Sequence, residues 1–94
     1  MKASQASQAT VLEDIPNIGP ALAGVLRLIG ISQPQQLQGR DGYALYQSLN
    51  RVTRQRHDPC VLDAFMAAVD FMNGGAATPW WKYTPARKTL YRDI

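Results

Sequence analysis

Apolar residues along this 94-residue chain recur every three or four positions within blocks, and short links bearing Gly, Pro, Asn and Asp separate the blocks. Such spacing marks helices with one buried face. Ala21, Leu22, Val25, Leu26 and Ile29 trace a helix over about 20–29, closed by Gly30 as a left-handed cap with Ile31 packing back. Gly24 inside it costs about 1 kcal/mol relative to Ala, and the spacing predicts close approach of a neighbouring helix there. Tyr43, Leu45, Tyr46, Leu49 and Val52 form the apolar side of a helix over about 42–53, capped by Asp41. Asp58-Pro59 starts a third long helix, and Asn73-Gly74-Gly75 ends it. Val61, Leu62, Phe65, Met66, Val69 and Met72 lie on its buried face, which leaves Asp63, Ala67 and Asp70 on a solvated one.

Two shorter helices complete the pattern. Thr10 and Glu13 have capping-box spacing, which predicts a helix over about 10–15. Ser32 can cap another over about 33–37. No segment alternates as a strand does. The expected fold is all-α: a bundle of four to five short helices over residues 10–75, preceded by a frayed start over 1–9. Residues 76–94 form an aromatic and basic tail. Its two tryptophans each carry on the order of 200 Å² of surface to bury, so a tail docked on the bundle is expected.

Composition narrows the function classes. No stretch approaches the roughly 18 apolar residues of a membrane span, and no signal-peptide pattern opens the sequence. With one cysteine, Cys60, no internal disulfide can form, so a reducing cytoplasm is expected. The net charge of +3 is uneven: residues 1–50 balance, whereas residues 51–94 carry seven cations against four carboxylates. That excess is compatible with a nucleic-acid partner but falls short of a dense basic stripe. His57 and Cys60 stand three apart, yet a zinc site takes three or four such ligands and the chain holds one of each. Neither a metal, a cofactor nor a catalytic constellation is expected.

The link Ile15-Pro16-Asn17-Ile18-Gly19-Pro20 is the tightest in the chain, and it opens a helix at once. Asn17 and Gly19 are residue types that reach positive φ at low cost, and Pro20 suits a first helical position. The free N–H groups of such a helix start suit an anion. The run resembles the helix-hairpin-helix motif at Leu12, Ile15, Pro16, Ile18, Gly19, Ala23 and Leu26, with Asn17 in place of the usual first glycine. The resemblance implies that amides around Asn17, at Ile18, Gly19 and Ala21, hold a nucleic-acid phosphate, or else that the hairpin only packs two helices. A second, degenerate copy around Gly39-Arg40-Asp41 makes the whole resemble a tandem helix-hairpin-helix, or SAM-like, bundle. That second link is read as structural. Many phosphate-binding hairpins place a cation soon after the Gly. Here Arg27 is the first candidate.

The ordered set from this hairpin through Leu45-Tyr46, Arg56-His57-Asp58-Pro59-Cys60 and Pro79-Trp80-Trp81-Lys82 is similar to the small bacterial pathogenicity-locus family, whose members often carry the label of mitomycin-resistance protein. The likeness spans about residues 10–85 and implies the fold more than the activity. Arg54 and Arg56 either meet a phosphate beside the hairpin or, like Arg51, offset a helix dipole. Trp80, Trp81 and Lys82 either dock, stack on single-stranded bases, or fill a partner's pocket. The leading expectation is a non-enzymatic module that holds a DNA backbone without reading sequence. The alternative is a protein-interaction domain using the same bundle and the tryptophan tail.

Overall fold

Asp58 accepts a hydrogen bond from the Cys60 N–H at 2.9 Å, and Pro59 follows it in the first helical position. Together they start the longest helix of a computed structural model that describes residues 2–92. Met1, Asp93 and Ile94, parts of the expected start and tail, lie outside the described residues. Four α-helices run in order among the described residues: α1 (Pro20–Leu28), α2 (Gly42–Thr53), α3 (Pro59–Met72) and α4 (Thr84–Leu90). Single 3₁₀ turns lie at Ala6–Gln8, Leu12–Asp14, Pro34–Leu37 and Trp80–Tyr83. The molecule is all-helical.

α3 is the axis of the bundle. α2, α4 and the turns at 34–37 and 80–83 all pack on it. Leu62, Phe65, Val69 and Met72 of the expected face are buried and Val61 and Met66 half-buried, but Ala68 and Phe71 are buried too, as are Asp63 and Ala67 on the side expected to be solvated. A helix hemmed in on this many sides has no wide wet face. Each fully buried Leu or Phe contributes about 2 kcal/mol. The helix ends where Gly74 takes φ of 99° and the Gly74 and Gly75 N–H groups bond the Phe71 and Asp70 carbonyls. α1 closes in the same way, with Ile31 N–H on the Leu26 carbonyl at 3.0 Å.

Several local expectations are corrected. Residues 10–15 make only the 12–14 turn, which ends where Ile15 is extended before Pro16. Asp14, not Glu13, serves the cap: its Oδ2 accepts from Thr10 N–H and Oγ1 at 2.9 Å and from Val11 N–H at 3.1 Å. The 33–37 segment is likewise a 3₁₀ turn, with Ser32 donating to the Gln36 side chain at 2.7 and 3.0 Å. The close approach expected at Gly24 is absent: a Cβ there would meet nothing within 4 Å. It occurs at Gly42, where a Cβ would stand 3.0 Å from the Met66 nitrogen, so α2 crosses α3 at its first residue. Val52 is exposed. α4 begins at Thr84-Pro85, a start signal that the aromatic run before it masks.

The segment expected as a frayed start folds back. Ala3 N–H donates to the Asp14 carbonyl at 2.7 Å, and Ala9 is buried. The Lys2 ammonium donates to the carbonyls of Glu13 at 2.7 Å and Ile15 at 3.0 Å, and also to that of Ile18.

Candidate nucleic-acid interface

Pro16 and Asn17 reverse the chain between the 12–14 turn and α1. Ile15 and Ile18, on either side, are fully buried and anchor the reversal in the core. Asn17 takes φ of 73°, a conformation Asn tolerates better than most residues. Its side chain does what a glycine could not. Nδ2 donates to the Thr78 carbonyl at 2.9 Å, and Oδ1 accepts from the Trp80 N–H at 3.2 Å. The turn is thereby tied to the tail. Gly19, expected in the left-handed region with Asn17, is instead extended at φ −90° and ψ −175° and caps α1.

The candidate amides divide. Ile18 N–H donates to the Ile15 carbonyl at 3.0 Å and leaves the set. The N–H groups of Gly19 and Ala21 have no acceptor among the described residues, and Ala21 is exposed. The cations divide as well. Arg27 is paired with Glu13 at 3.1 Å, which holds that carboxyl below its ordinary range and largely cancels the charge offered to a phosphate. Arg54 is the left-handed C-cap residue of α2 at φ 57°, its N–H on the Asn50 carbonyl. Among the described residues no hydrogen bond or ion pair joins it to the turn. Arg56 is exposed in the link to α3. The cation that the turn does hold is Lys2, which nothing in the periodicity singled out.

Beyond the Trp80 N–H bond to Asn17, the tail is anchored by side chains other than those of its tryptophans. Arg87 Nε bonds Asp63 Oδ1 at 2.9 Å inside the molecule, and Thr84 Oγ1 donates to Asp63 Oδ2 at 2.7 Å. Tyr83 donates its hydroxyl to Asp70 at 2.6 Å, and Tyr91 stacks on Tyr43 with ring centroids 4.2 Å apart. Asp63, expected as a solvated carboxylate, is thus buried as the receptor for the tail, whereas Asp70 is exposed as expected and accepts from Tyr83. Trp80 is 37% and Trp81 58% exposed, with their rings perpendicular at 5.9 Å, and Lys82 is exposed beside them. Between the turn, α3 and Trp80 lies an apolar hollow of about 260 Å³, lined by Asn17, Leu22, Cys60, Val61, Ala64 and Trp80.

Among the described residues no hydrogen bond joins His57 to Cys60. His57 Nδ1 lies 2.9 Å from Asn50 Oδ1. Burial, followed by a hydrogen bond to Asp58, pushes the Cys60 thiol up, away from the thiolate a nucleophile requires.

The family described as "Pathogenicity locus" (Cdd1) matches residues 5–89 of the chain. Mitomycin resistance protein McrB of Streptomyces lavendulae is 43% identical over 84 residues, covering 89% of this chain and 80% of its own. No solved structure matches.

Proposed function

The chain belongs to the pathogenicity locus family, and within it we propose a small, non-enzymatic module that holds a DNA backbone without reading sequence. The Asn17–Ala21 turn is read as a helix-hairpin-helix in a SAM-like bundle, acting in the cytoplasm. One observation carries the reading: the Gly19 and Ala21 amides lie unaccepted at the start of α1. Oriented N–H groups at a helix start attract an anion and carry no base information. Lys2, seated on the turn carbonyls, supplies a positive charge where α1 has none before Arg27.

Titrating duplex and single-stranded DNA at increasing salt tests this. Binding that weakens with salt is expected, and no binding at about 50 mM salt refutes it. Gly19→Pro keeps the extended conformation and deletes one amide. It should lower affinity about tenfold, the worth of one hydrogen bond to a charged group. An unchanged affinity would remove the turn from the interface.

The protein-interaction reading draws support from the exposure of Trp81, since Trp dominates interface hot spots. Under it, a partner recovered by the wild-type chain is lost on Trp80→Ala with Trp81→Ala, and unchanged recovery counts against it. The similar protein's name adds an expectation of mitomycin resistance. Cells expressing the chain should survive mitomycin better than cells without it.

A further inference from the structure

The hollow beside the turn is walled by Leu22, Val61, Ala64 and Cys60, with the Trp80 ring as its aromatic side. At about 260 Å³ it lies below the size of drug-binding pockets, which begin near ~300 Å³. It suits one small flat group. The polar atoms of its remaining wall residue, Asn17, are already engaged by Thr78 and Trp80. The hollow therefore offers a ring face and apolar walls, and little with which to read a hydrogen-bonding edge.

Its aromatic wall is set in advance. Asn17 holds the Trp80 backbone, Trp81 braces the ring at 5.9 Å, and the Tyr83–Asp70 bond fixes the far end of the turn. A Trp that is partly exposed yet held from both sides loses little freedom when something stacks on it. The neighbouring charge is mixed: Lys82 adjoins the tryptophans, and the Asp58 carboxylate accepts from the Cys60 N–H on the opposite wall.

We propose that the hollow takes an unpaired nucleobase from a single DNA strand, stacked on Trp80, while the adjoining phosphate lies on the Gly19 and Ala21 amides. The inference rests on the backbone-holding reading above and names its substrate: a strand with unpaired bases, in preference to an intact duplex. Stacking of this kind is indifferent to base identity. Asn17 is the positioning residue that joins the phosphate and base halves of the site.

The test compares a short oligothymidylate with a strand of equal length built from abasic units, which keeps the phosphates and removes the rings. The wild-type chain should bind the oligothymidylate about tenfold more tightly. Trp80→Ala should erase that difference by weakening oligothymidylate binding alone, leaving the abasic strand bound as before. Bound oligothymidylate should also slow alkylation of Cys60. Equal, salt-sensitive binding of the two strands overturns the base site and leaves the backbone reading standing. So does a Trp80→Ala variant that weakens both alike. Absence of binding to either strand overturns both readings.

Discussion

A methyl group added at residue 42 would stand 3.0 Å from the Met66 nitrogen and 3.1 Å from its Cγ, whereas one added at residue 24 would touch nothing within 4 Å. The two glycines thus carry opposite predictions. Gly24→Ala, inside α1 with room for the side chain, should stabilise the chain by about 0.5–1 kcal/mol. Gly42→Ala should destabilise it by about 1–3 kcal/mol, because α3 backbone must move. Urea denaturation of the two variants checks the pair, and a stabilising Gly42→Ala would refute the close crossing. The sequence does not distinguish them, because the atom that decides, on Met66, lies a helix away. Cys60 makes a third prediction at this scale. With its thiol pushed up by burial and by Asp58, it should alkylate more slowly near pH 8 than a free cysteine. Unfolding the chain should remove the difference.

α3 was legible at its ends and illegible around its circumference. Asp58-Pro59 and Asn73-Gly74-Gly75 are local signals that act on neighbouring backbone, and the helix starts and stops at them. The fate of Asp63 depends on Arg87, 24 residues later, and periodicity assigns a carboxylate to water unless its partner is known. α4 went unread for a related reason, because its packing rests on Arg87 and not on an apolar stripe. The candidate site divides in the same way. The helix start at Pro20 was legible, but the second role of Asn17 and the arrival of Lys2 are contacts across 61 and 16 positions. Arg87→Ala should cost about 3–5 kcal/mol, since it leaves Asp63 buried and unpaired. Asp63→Leu combined with Arg87→Leu should recover most of that loss. If Arg87→Ala costs under about 1 kcal/mol, the ion pair does not hold the tail.

Over the whole molecule, the titrating groups set a stability plateau with two edges. Arg27 holds Glu13, the Thr10 N–H holds Asp14 and the Cys60 N–H holds Asp58 below their ordinary values of 4.5, 3.8 and 3.8. A depressed carboxyl stabilises the fold above its unfolded pKa, and that stability is lost as pH falls through the folded one. Burial pushes Tyr83 and Tyr91 above 10.0, with the Asp70 carboxylate acting further on Tyr83. A raised phenol stabilises the fold below its unfolded pKa, and that stability is lost as pH climbs through the folded value. Melting temperature should therefore stay level between about pH 5 and 9 and fall on either side. A melting temperature that rises below pH 4 would contradict the carboxylate contacts. The convergence of Lys2 and Trp80 on one turn bears on how the chain is made. Lys2 can reach Ile18 as soon as the first helix exists, but Asn17 must wait on the ribosome until residue 80 has emerged. The turn and the tail are joined only late in synthesis, so a nascent chain stopped before Thr78 carries the turn without its clamp.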